Sequence, residues 1–141
     1  MNIYQDAREE RGLTQEQAAE LIGISVESLR AYECGKRPPS STTAVMMSNV
    51  YDNKALRYQH LKNTDPIANA ILPDFMVKNF AETVLKLIKE LNEVEALIPT
   101  LIAIAADGII DESERPTWEK VRKEFDDVVQ GYYCMVMSDS I

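Results

Sequence analysis

The sequence predicts an all-α protein built in two parts. Three observations carry this. Apolar residues recur at helical spacing along most of the chain, and no stretch alternates apolar and polar side chains for long. Ser and Thr precede the early apolar runs and Gly follows them, which is the punctuation of short capped helices. The charge also divides: residues 1–65 hold eight Lys/Arg against nine Asp/Glu, while residues 66–141 hold seven against fourteen.

The elements follow in order. A first helix fits Ile3 to Arg11 and stops at Gly12, a good C′ residue. A second begins at Thr14, where Thr14-Gln15-Glu16-Gln17 is a T-x-x-Q capping box. Its apolar face is Ala18, Ala19, Leu21 and Ile22, and Gly23 ends it. A third is capped by Ser25, carries Val26, Leu29 and Tyr32 at helical spacing, and ends at Gly35. Lys36-Arg37-Pro38-Pro39-Ser40 cannot be helical. Helices over Thr42–Tyr51 and Lys54–Lys62 complete the first part, residues 1–65, and residues 66–76 read as a linker.

In the second part, 77–141, Val77, Phe80, Val84, Leu87, Leu91, Val94, Ile98, Leu101 and Ala105 form a heptad seam. Leu85, Ile88, Leu97 and Ile102 widen it, Pro99 should break the helix near Ile98, and Asp107-Gly108 marks a turn. A last helix fits Glu114 to Gln130 with Trp118, Val121, Phe125 and Val128, after which no period is clear. These lengths describe an antiparallel hairpin whose first arm overhangs by roughly 18 Å, at about 1.5 Å per residue. The overhang, Val77 to Lys89, keeps an apolar stripe that needs a cover, either the first part or a second subunit.

Composition narrows the function classes. No apolar run approaches a membrane span, and the first residues lack a secretory pattern, so a cytoplasmic protein is expected. Cys34 and Cys134 match no metal spacing. His60 is the only histidine and reads as a helix-surface residue; with no Gly-rich phosphate loop or nucleophile elbow, no enzyme is expected. Asp107-Gly108-Ile109-Ile110-Asp111-Glu112-Ser113-Glu114 matches the second half of a calcium loop. Ala103 and Ala105 stand at the first-half ligand positions, so a turn with a helix cap is expected, with no metal and no cofactor. Glu119, Glu124, Asp126 and Asp127 on the last helix read as a solvated face, with mimicry of DNA as an alternative.

Residues 8–37 converge on one motif. Gly23-Ile24-Ser25 is the tight turn of a helix-turn-helix, with small Ala18 and Ala19 where the two helices pass closely. The runs Arg8-Glu9-Glu10-Arg11-Gly12-Leu13-Thr14-Gln15-Glu16-Gln17-Ala18-Ala19 and Ser25-Val26-Glu27-Ser28-Leu29-Arg30-Ala31-Tyr32-Glu33-Cys34-Gly35-Lys36-Arg37 resemble the Xre family, also called Cro/C1-type or lambda-repressor-like. The likeness spans about 60 residues. It implies a five-helix DNA-binding domain followed here by the helical hairpin, and a transcriptional regulator, expected to be a repressor. It implies that Gln15 bonds a phosphate, that Val26, Glu27 and Ala31 stand at base-reading positions with Arg30 beside them, and that Ser25 caps the reading helix. It further implies that Ser28, Lys36 and Arg37 meet the backbone, and that Arg8 pairs with Glu33.

Cys34 departs from the family's usual polar residue, and beside Lys36 and Arg37 it is either a tolerated helix-end residue or a redox-sensitive thiol. The partners expected are double-stranded DNA and a second copy of the chain, joined through Phe80, Val84, Leu87, Ile88 and Leu91. The alternative is an antitoxin-like or adaptor protein whose C-terminal helices bind another protein.

Overall fold

Short helices, most of them opened by a side-chain cap, build the N-terminal unit. The computed structural model describes residues 2–74 and 79–138. Among the described residues it has helices and no strand. The chain divides into two units between Leu72 and Pro73.

The first unit holds α1 (Ile3–Glu10), α2 (Gln15–Ile22), α3 (Val26–Glu33), α4 (Ser41–Tyr51), α5 (Ala55–Thr64) and α6 (Pro66–Ile71). Asn2, Thr14, Ser25 and Ser40 each accept backbone N–H bonds at the start of α1 to α4. The Thr14 capping box is complete, with both reciprocal bonds formed. Tyr4, Ala7, Ala18, Ala19, Ile22, Leu29, Tyr32, Met47, Tyr51 and Leu56 make one core. Ala18 and Ala19 are fully buried where α2 meets its neighbours, and Leu29 anchors α3. Burial of a side chain such as Leu29 contributes on the order of 1.5–3 kcal/mol.

Three details of this unit differ from expectation. Leu21 is 61% exposed, because the buried face of α2 is met by Ala18, Ala19 and Ile22 and Leu21 lies off that face. Residues 66–71 are helical rather than linker: the Asp65 side chain accepts from the Ile67 and Ala68 N–H groups, and Pro66 occupies the first helical turn. His60 is buried, and its Nδ1 lies 2.8 Å from the Tyr4 hydroxyl, joining α5 to α1.

The second unit holds α7 (Phe80–Ala96), α8 (Ile98–Ile104) and α9 (Arg115–Ser138). Pro99 sits in the first turn of α8, just past the end of α7. Asp111 caps the approach to α9, accepting from Ser113 and from the Glu114 N–H, while Glu114 accepts from the Asp111 N–H. These bonds hold the Asp111 carboxyl below its ordinary pKa, the Ser113 side chain most strongly.

The hairpin corrects two expectations. The last helix runs to Ser138 instead of stopping at Gln130. Gly131 is helical and buried, and a Cβ there would sit 3.1 Å from Leu87 Cδ1, so the first residue past the expected end is the point of close approach between α9 and α7. The first arm therefore has no overhang, and Leu87 turns to α9 within the hairpin.

The seam is also rotated. The most buried residues of α7 are Thr83 and Glu90, whereas Phe80, Ile88 and Leu91 are half exposed. At about 3.6 residues per turn, Thr83, Leu87, Glu90 and Val94 form the strip that meets α9. Phe80, Val84, Ile88 and Leu91 form the next strip round. On α9, Val121, Glu124, Val128 and Gly131 form the packed strip, and Trp118, Phe125, Val129 and Tyr132 the next. Both outer strips follow the packed one in the same winding sense. In an antiparallel pair they therefore fall on one side of the two-helix layer.

The opposite edge of the packed strips is acidic. Glu90, Glu124 and Asp127 bring carboxylate oxygens within 4.8 Å of one another, and burial raises the Glu90 carboxyl above its ordinary pKa. Val77, the expected start of the seam, lies outside the described residues.

Candidate nucleic-acid interface

The turn between α2 and α3 is set by Gly23, whose φ of 80° is a left-handed conformation that glycine adopts without penalty. Its N–H and that of Ile24 close back on the Ala19 carbonyl at 2.9 and 3.0 Å, ending α2 and turning the chain at once. Ser25 then opens α3: its Oγ accepts from the Ser28 N–H at 3.1 Å and donates to Ser28 Oγ at 3.0 Å. Core packing of Leu29 and Tyr32 fixes which face of α3 turns inward. The outward face carries Glu27 and Arg30, both exposed, with Ala31 and Ser28 half-buried beside them.

Val26 is half-buried and packs on the core, so only part of its side chain faces outward. Arg37 donates to Ser28 Oγ at 3.2 Å and lies 5.2 Å above the Tyr32 ring, a cation–π contact that holds the loop after α3. Lys36 is exposed.

Behind this face lies a polar anchor. Arg8 of α1 donates to both Glu33 oxygens, from Nε at 2.6 Å and Nη2 at 3.0 Å, and from Nη1 to the Leu13 carbonyl at 2.7 Å. The two side chains are 9% and 4% exposed. Glu33's hydrogen bond raises the Arg8 pKa above its ordinary value. Gln15, first residue of α2, donates to the same Glu33 at 2.8 Å and accepts from Arg30 Nε at 3.0 Å. The bidentate ion pair thus locks α1 to the end of α3, and Gln15 ties in α2.

Chain comparisons agree with this geometry. Residues 5–58 match the family model described as "Helix-turn-helix". Residues 5–58 are a helix-turn-helix domain. Over 118 residues the chain is 28% identical to the HTH-type transcriptional regulator ImmR of Bacillus subtilis (strain 168), covering 84% of each chain. No solved structure matches the chain. DNA binding and transcription regulation are what this family likeness supports. No helix among the described residues is long and apolar enough to cross a membrane.

Two contacts of the helix-turn-helix domain were not legible from sequence spacing. Asn2 Nδ2 donates to the Tyr32 carbonyl at 3.0 Å, satisfying one of the last carbonyls of α3 from outside the helix. An Asn directly ahead of α1 was the available signal. Glu16 accepts from Arg30 at 3.2 Å across the two helices, and nothing in local spacing marks that pair. Cys34 is the exposed C-cap of α3, and its thiol lies 3.6 Å from the Ala31 carbonyl.

Proposed function

We propose that this protein is a sequence-specific repressor that binds a two-fold DNA operator as a homodimer. The observation that carries the reading is the presentation of α3: a glycine turn, a serine cap and a buried ion pair leave Glu27, Arg30 and Ala31 outward on a helix tied to α1 and α2. In this reading α3 enters the major groove. There Glu27 accepts from cytosine N4 and the outer part of Val26 packs on a thymine methyl. Gln15, Ser28, Lys36 and Arg37 contact the backbone, and Ser25 keeps the start of α3 in register.

The first 65 residues are close to neutral, with eight basic and nine acidic side chains, so a single copy binds weakly through charge alone. Two copies supply the missing affinity. The outer strip of Phe80, Val84, Ile88 and Leu91, continued by Phe125, Val129 and Tyr132, is the surface that joins them. Phe80, Ile88 and Leu91 are 51%, 49% and 49% exposed, as on a face awaiting a partner. The same exposed face supports a second reading, in which a different protein docks on the hairpin.

A selection of duplexes from a random pool, at stated salt, tests the proposal. Enrichment of a two-fold motif with half-sites about 34 Å apart is expected. No enriched motif, with duplex binding unchanged when Gln15 and Arg30 are replaced, contradicts it.

A further inference from the structure

Arg30 stands on the outward face of α3, yet its guanidinium is already engaged. Nε donates to Gln15 Oε1 at 3.0 Å and Nη2 to Glu16 Oε1 at 3.2 Å. Arg30 and Glu16 expose 61% and 65% of their side chains. So open an ion pair contributes little to folding, and its position beside the reading helix asks for another account. Gln15 sits between two charged groups. Its oxygen faces Arg30 and its Nε2 donates to Glu33, so the amide orientation is fixed, with the second amide hydrogen left to donate outward.

A backbone phosphate bonded by that hydrogen lies next to the Arg30 guanidinium, which it attracts, and next to the Glu16 carboxylate, which it repels. The carboxylate and the phosphate compete for one cation.

We propose that Glu16 sets the affinity of the DNA interface: in the free protein it holds Arg30, and duplex DNA replaces it with a backbone phosphate. This rests on the DNA-binding reading above. The exchange needs only side-chain rotation, since both residues are exposed and α2 and α3 stay locked by Glu33. It also accounts for a helix-turn-helix domain without a basic surface. Its outward arginine is neutralised until a phosphate arrives, which suppresses binding to sequences that do not bring a phosphate into that register.

The test is a double-mutant cycle with the full chain: wild type, Glu16→Gln, Arg30→Ala and the double variant. Affinity is read against salt on a mixed-sequence duplex of about 30 base pairs, long enough for two half-sites. Glu16→Gln is expected to bind about fivefold tighter and to steepen the slope of log K against log salt by up to about 0.9, because in the wild type the carboxylate freed from Arg30 takes up a cation that offsets the one the phosphate releases. In the Arg30→Ala background the same change is expected to leave the slope unchanged and to give a smaller gain in affinity, the part that is repulsion alone.

A Glu16→Gln variant equal to wild type in affinity and slope overturns the proposal while leaving the DNA-binding reading intact. A gain that persists undiminished without Arg30 also overturns it, because general repulsion then suffices. Absence of binding by every form, on this duplex and on any duplex of the random pool, removes both the proposal and the reading beneath it.

Discussion

Glu33 closes α3 beneath three donors, two from Arg8 and one from Gln15, with almost no access to water. Removing the carboxylate leaves the Arg8 charge buried without its partner, a loss of about 3–5 kcal/mol. Glu33→Ala should therefore lower the free energy of unfolding by that amount in urea titration, and should loosen α3 before it touches any DNA contact directly.

His60 behaves differently. Burial lowers its pKa from the ordinary 6.5, so the fold holds the ring neutral against the Tyr4 hydroxyl. Between that lowered value and 6.5 the unfolded chain binds more protons than the folded one, so stability falls as pH is lowered through 6.5. Urea midpoints at pH 7.5 and pH 5 should show the decline, and His60→Gln should flatten it. Tyr51 makes a contrast. Among the described residues its buried hydroxyl has no hydrogen-bond partner, and burial raises its pKa further.

At the scale of elements, the helix-turn-helix was legible because its signals are local. The Thr14 box, the Ser25 cap and the glycines after α2 and α3 act within a few residues of chain, and each has the conformation its sequence position requires. Gly23→Ala tests the turn: no atom lies within 4 Å of the added Cβ, so the penalty is conformational strain at positive φ, about 1 kcal/mol. Thermal unfolding should show that modest loss without a change in cooperativity.

Signals that depend on distant packing were not legible. Leu21 fits an apolar period but lies off the face the neighbouring helices cover. His60 looks like a surface histidine until α1 is placed beside it. Gly131 has the composition of a stop, yet contact with Leu87 makes glycine the residue that fits there. The rotation of α7 is the largest such effect: Thr83 and Glu90 take the most buried positions, and Phe80, Ile88 and Leu91 are left half exposed.

At the scale of the molecule, the second unit is a two-helix layer with one apolar side and one acidic edge. Among its described residues only Ile104 and Val121 are large, apolar and buried. In the dimer proposed above, a second copy set face to face would enlarge so thin a core while leaving the edge that carries Glu124 and Asp127 uncovered. Sedimentation of the full chain is expected to give a dimer mass, and Ile88→Lys with Leu91→Lys a monomer, since each buried lysine would leave an unpaired charge in the interface. A monomer mass that does not change with concentration contradicts the two-copy account.

In the proposed function α3 reads bases, and Glu27 is the side chain that tests it. Duplex selections are run in parallel on wild type and Glu27→Gln, since carboxylate and carboxamide favour cytosine and adenine respectively. Two enriched motifs of equal half-site spacing are expected, differing at one base position per half-site, with discrimination there of about 1–3 kcal/mol. Identical motifs from the two proteins would contradict base reading by α3.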